Sequence, residues 1–173
     1  MKNLPILILA GGLGKRISKY YKNTQKCMIK FNEKPFLQYV IENFVRNNYK
    51  NIIILAGYNS YQIFDYFGYG KKFNSKIIYS IDGKRLLGTG GAVKKALKYV
   101  KNDFVLTYAD AFLNYDYDKV YNFYKLNNLE SLLTVDKNKN LTDKNNLILK
   151  KKKIVYYNKK KNHLCNHHDW GFS

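Results

Sequence analysis

Long apolar runs are missing from this chain, and none approaches the roughly 18 residues that a membrane-spanning helix needs. The start, MKNLPILILAGG, superficially resembles a secretory leader. Its apolar stretch is short, however, and runs into glycines with no cleavage region. Cysteine is scarce: Cys27 and Cys165 are too few and too far apart for a disulfide framework, which points to a reducing cytoplasm. Acidic residues number only 12 against 31 Lys and Arg, a formal charge of +19, yet the only arginines are Arg16, Arg46 and Arg85. Lys, Asn, Tyr and Ile are heavily used throughout, as A/T-rich coding would produce. The lysines are spread over the chain apart from the knot Lys150–Lys153 and Lys159–Lys161. A solvated lysine-rich surface is therefore preferred to a nucleic-acid face, although the charge would still draw in phosphorylated substrates. Internal repeats and linkers are absent as well. A chain of 173 residues fits one domain that buries roughly 70% of its unfolded surface.

What is present begins with Leu4–Arg16, LPILILAGGLGKR. The unbroken apolar run Leu4–Ala10 suits a strand buried on both faces. Gly11, Gly12 and Gly14 follow, then Lys15 and Arg16. Glycines let backbone N–H groups close on an anion, and cations neutralise it, so the stretch reads as a cradle for nucleotide phosphates. The spacing is neither G-x-G-x-x-G nor G-x-x-x-x-G-K-[ST], which disfavours the dinucleotide fold and the P-loop. From this loop alone, a Gly-rich turn with a solvated Lys-Arg pair is an equal alternative.

Further along, Ile17–Lys30 reads as polar and irregular. Pro35 opens an amphipathic helix over Pro35–Asn47, with Phe36, Leu37, Val40, Ile41, Phe44 and Val45 at helical spacing. Asn51–Ala56 predicts a second buried strand. Asn59 or Ser60 caps a short helix through Phe67, closed by Gly68. Lys76–Ile81 predicts a third strand, then an Asp82-Gly83 turn and a second glycine-rich segment, Leu86–Ala92. Ala92, Val93, Ala96, Leu97 and Val100 mark the next helix. Asp103–Tyr108 predicts a fourth strand, Asp116 caps a helix carrying Tyr117, Val120, Tyr121 and Tyr124, and Glu130–Val135 predicts a fifth strand. Asn146–Leu149 and Lys153–Tyr157 pair as a hairpin. This alternation implies an α/β, Rossmann-like fold with a mostly parallel central sheet and helices on both faces. Ligands bind at the carboxyl ends of such strands, where both glycine segments and Asp110 fall. An Asp just past a buried strand could hold Mg²⁺, which takes one or two carboxylates plus phosphate oxygens. By position alone, a turn or cap residue is the better reading of Asp110.

The residues Leu9-Ala10-Gly11-Gly12-Leu13-Gly14-Lys15-Arg16 resemble the signature of the sugar-phosphate nucleotidylyltransferases. Lys26-Cys27-Met28 is similar to that family's Pro-Lys-Pro-Met segment, and Lys34–Leu37 continues the likeness. So do Tyr79–Gly83 with Leu87–Ala92, and Tyr108-Ala109-Asp110, where the family has Gly-Asp. The tail His168–Ser173 is similar to an Ile-Asp-Tyr-Gly-Leu-Ser segment of a bacterial branch near the heptose- and mannose-1-phosphate nucleotidyltransferases. The resemblance implies transfer of a nucleotidyl group from an NTP to a sugar 1-phosphate, giving an NDP-sugar and pyrophosphate. By match, Leu9, Gly11 and Gly88 contact the base, and Gly12, Gly14, Lys15 and Arg16 hold the triphosphate. Lys26 bridges nucleotide and sugar phosphates, Asp110 binds Mg²⁺, and Asp169 and Gly171 lie near the sugar. Arg16, Lys26 and Asp110 are the expected catalytic set.

Lys15 stands where Thr is usual, Thr24-Gln25 replaces a proline lead-in, and Ala109 replaces glycine. The expected organisation is one domain over 1–173, with a nucleotide-binding part over 1–110 and an incomplete sugar-binding part over 111–173. Family members run on past the tail segment and draw a second metal acid from there, so slow turnover with retained NTP binding is expected. Two rivals stand beside this reading: a non-catalytic nucleotide- or sugar-phosphate-binding relative on the same fold, and a nucleic-acid-binding protein. Assembly from identical copies is left open. His163, Cys165, His167 and His168 are too crowded for a structural zinc site.

Overall fold

The apolar run at the start of the chain becomes β1 (Ile6–Ala10), the centre of everything that follows. The computed structural model describes residues 4–14, 17, 19–137, 145–158 and 165–173. They fall into two compact units, 1–123 and 124–173. After β1 come a 3-10 turn at Lys26–Met28 and the small hairpin β2 (Lys30–Phe31) and β3 (Lys34–Pro35). Next are α1 (Phe36–Arg46), β4 (Asn51–Ala56), α2 (Ser60–Phe67) and β5 (Lys76–Ile81). Helix α3 (Gly88–Ala96) leads to β6 (Val105–Tyr108), and α4 (Tyr117–Leu126) follows.

The four long strands form one parallel sheet in the order β5-β4-β1-β6. Two crossovers carry the chain from β1 outward to β5, and the third returns it past β1 to β6. With right-handed crossovers, reversing direction moves the connecting helix to the opposite face. Helices α1 and α2 therefore lie on one side and α3 on the other. On the α3 side, Ala92 and Ala96 pack against Leu7, Ile53 and Leu55, with Leu9, Ile78 and Leu106 at the margin. Small residues on α3 let the helix come close to the sheet. The alternate residues Ile6, Ile8, Ile52, Ile54 and Ile77 are at most 2% exposed, so the second face is covered too. The expected α/β, parallel-sheet architecture is what forms.

Differences from the sequence reading are local. The expected first-turn cap of α2 is absent: Asn59 sits in the left-handed region and its Nδ2 donates to the Asn23 carbonyl instead. Asp116 does cap its helix, its Oδ1 accepting from the Lys119 N–H at 3.0 Å. In the second unit, the strand expected over Glu130–Val135 shrinks to β7 (Val135–Asp136). It pairs antiparallel with β10 (His168–Asp169), and Thr134 extends the pairing irregularly, donating to the Phe172 carbonyl and accepting from the Trp170 N–H. The expected hairpin forms as β8 (Leu147–Lys150) and β9 (Lys153–Tyr157), turning through Lys151 and Lys152 with positive φ.

Candidate active site

At the switch in strand order, beyond the carboxyl ends of β1 and β6, a cavity of about 460 Å³ opens within the first unit. Its floor is Leu9, Ala10 and Leu55 from the sheet. The first glycine loop contributes Gly11, Gly12, Leu13 and Gly14, and the second glycine segment contributes Leu86, Gly88 and Thr89. Asp110 closes one side, just past the end of β6.

Of the sequence-derived candidates, Leu9, Gly11, Gly12, Gly14, Lys26, Gly88 and Asp110 all line this one cavity. Lys15 and Arg16 lie outside the described residues. Asp169 and Gly171 belong to the second unit, where Asp169 Oδ1 accepts from the Gly171 N–H at 2.7 Å and Oδ2 from the Tyr157 hydroxyl at 3.1 Å. His163 is also outside the described residues. Among those described, no group of three or more His, Cys, Asp or Glu is gathered to hold a metal.

The charged pair of the cavity is Lys26 and Asp110, with Nζ 2.5 Å from Oδ2 and both side chains roughly half exposed. Lys26 opens the 3-10 turn, whose next residue, Cys27, is buried. Burial pushes the Cys27 thiol up to about 12, its own backbone hydrogen bond opposing this and the Asp110 carboxylate adding to it. Cys27 is therefore a neutral wall and not a nucleophile. Gly14 has φ +58, and a Cβ there would sit 3.3 Å from the Lys26 Cβ. The glycine brings the loop against the lysine turn.

Two lining residues went unrecognised in the sequence. Gln25 falls in a stretch of irregular, polar sequence, yet it is 2% exposed and makes hydrogen bonds in three directions. Asp82 is, by sequence, half of an Asp-Gly turn. Its Oδ2 accepts from the Leu87 N–H at 3.0 Å, which closes the loop, while Oδ1 is buried with no partner among the described residues. Asp82 follows β5 and Asp110 follows β6, three strand spacings apart, or about 14 Å. The sequence marks Asp82 only by its place after a strand, as it does Asp110, and by its membership of the Tyr79–Gly83 likeness.

Comparison with known proteins bears on the family and the fold. The family profile described as nucleotidyl transferase matches residues 6–145. A D-glycero-alpha-D-manno-heptose 1-phosphate guanylyltransferase of Campylobacter jejuni is 39% identical over 114 residues, which is 66% of this chain and 51% of that protein. The chain thus spans about half the length of that relative. Among solved structures, HddC from Yersinia pseudotuberculosis matches with a TM-score of 0.76 at 26% identity, covering 98% of this chain and 75% of that one. A UDP-glucose pyrophosphorylase from Acinetobacter baumanii reaches a TM-score of 0.80 at 16% identity, covering 98% and 73%, a likeness of fold.

Proposed function

The chain belongs to the nucleotidyl transferase family, and from that we propose that it binds an NTP in the cavity below β1 and β6 and transfers its nucleotidyl group to a sugar 1-phosphate. A phosphate oxygen of the sugar attacks the α-phosphorus, the α–β bridging bond breaks, and pyrophosphate leaves with the electron pair. An NDP-sugar remains. The observation that carries this reading is the convergence of the glycine loop, Lys26 and Asp110 on one cavity.

In this reaction the protein contributes position and charge more than covalent chemistry. Gly12 and Gly14 bring backbone N–H groups to the triphosphate, and Lys15 and Arg16 neutralise it. Arg16 can grip two phosphate oxygens through its planar fork. Lys26 is a mobile point charge that can leave Asp110 and follow the migrating phosphoryl group. Leu9, Gly11 and Gly88 pack around the base. Asp110 suits Mg²⁺, since a half-exposed carboxylate at the phosphate end supplies a hard oxygen ligand of the kind the ion takes from protein beside phosphate and water. When bound, that ion would neutralise charge on the phosphates. The setting is the reducing cytoplasm, which suits the buried, neutral thiol of Cys27.

We take guanine as the base from the guanylyl transfer named for the Campylobacter relative. A panel of GTP, UTP, CTP and ATP against several sugar 1-phosphates, scored by pyrophosphate release, tests the reading. GTP should support release with at least one sugar, and Asp110→Asn should abolish it. Release from no combination, or release indifferent to Asp110, would contradict it.

A further inference from the structure

We propose that Gln25 is a positioning residue for Lys26, a buried amide that clamps the lysine turn to the end of β1 and to α2. Its Nε2 donates to the Ala10 carbonyl, where β1 gives way to the glycine loop. Its Oε1 accepts from the Lys26 backbone N–H at 2.5 Å, capping the 3-10 turn. Its own N–H donates to Gln62 Oε1 on α2 at 2.8 Å. Gln62 Nε2 and Asn59 Nδ2 both donate to the Asn23 carbonyl, at 2.6 and 2.9 Å, so α2 holds the segment from both sides.

The chemistry specifies an amide. One end of the side chain must donate to a carbonyl and the other must accept from an N–H, and a primary amide does both from adjacent atoms without charge. A carboxylate would set oxygen against the Ala10 carbonyl, and an apolar isostere would leave buried backbone groups unpaired. With Gln25 2% exposed and the backbone of Lys26 fixed by it, only the lysine stem is left to move. That freedom lets Nζ travel between Asp110 and a phosphate while the base of the side chain stays put. The functional half of this inference rests on the proposed role of Lys26; the clamp itself does not.

Two readouts on Gln25→Met, Lys26→Met and the double variant separate these. The first needs no nucleotide: lysines are reductively methylated with isotope-labelled formaldehyde, and the Lys26 signal is assigned by its loss in Lys26→Met. In the parent it should stand apart from the solvated lysines, and in Gln25→Met it should join them. The second is Mg²⁺·GTP affinity by calorimetry. Gln25→Met should weaken it about tenfold, roughly the effect of losing one charged hydrogen bond. The double variant should bind no worse than Lys26→Met alone. Should Gln25→Met fail to fold, Gln62→Ala releases only the outer anchor and should move both readouts the same way by less. An unchanged Lys26 signal, or additive losses in the double variant, would overturn the proposal. Parent protein that binds no nucleotide while its Lys26 signal responds as expected would count against the transferase reading and leave the clamp standing.

Discussion

Cys27 shows how one residue's surroundings decide its chemistry. It follows the catalytic lysine candidate directly and lines the same cavity, yet burial holds its thiol protonated, up to about 12. Tyr79 and Tyr117 are likewise raised to about 12, each first by burial and then by a neighbouring tyrosine, Tyr69 and Tyr115 respectively. All three groups hold their protons more tightly folded than unfolded. Their contribution to stability is therefore complete below the unfolded values and is lost as pH rises toward 12. Melting temperature should be flat with respect to these groups at neutral pH and fall between roughly pH 9 and 12. Iodoacetamide at pH 8 should leave Cys27 unmodified in the native protein and label it once denaturant is added. Rapid native labelling would show that the lysine turn is open.

At the scale of elements, the loop and the sheet carry different burdens, and two substitutions separate them. Gly14→Ala forces a left-handed backbone on a residue with a Cβ, costing roughly 1–2 kcal/mol, and presses on Lys26. Leu7→Ala empties a fully buried site between the sheet and α3, costing about 2–5 kcal/mol. Gly14→Ala should weaken nucleotide binding well beyond its loss of stability by denaturant titration. Leu7→Ala should lower stability and leave binding by the folded fraction near the parent's. The elements that could be read from sequence were those with a continuous or periodic apolar pattern. The runs in β1 and β4 mark strands buried on both faces, β5 shows a shorter apolar run at the sheet edge, and α1 shows its stripe. The segment before Lys26 has no such pattern, because its order comes from polar contacts to residues 15 and 37 positions away. The strand expected from Glu130 failed for a related reason: its partner β10 is two residues long, so little ladder can form. Helix α3 begins at Gly88, four residues before the apolar marker Ala92, since its first turn lines the cavity and carries no core residue there.

For the molecule as a whole, the charge of +19 and the switch in strand order act together. The topology sets where a ligand can sit, and the excess of lysine raises the local concentration of any polyanion, an effect that salt should weaken. Most of the candidate site was legible because glycine loops and strand-end carboxylates have local signatures. Asp82 and Gln25 were not, because their meaning depends on what the fold brings beside them. The central claim is that this cavity holds a nucleoside triphosphate with its phosphates at Asp110. The most direct measurement is calorimetric titration of GTP into the parent and into Asp110→Asn, each with Mg²⁺ and with EDTA. The pair lost in the variant is half exposed, so its stability should stay within about 1 kcal/mol of the parent's. The account predicts that Mg²⁺ tightens GTP binding to the parent and has no effect on the variant. Equal tightening in both proteins would place the metal and the phosphates elsewhere and contradict it.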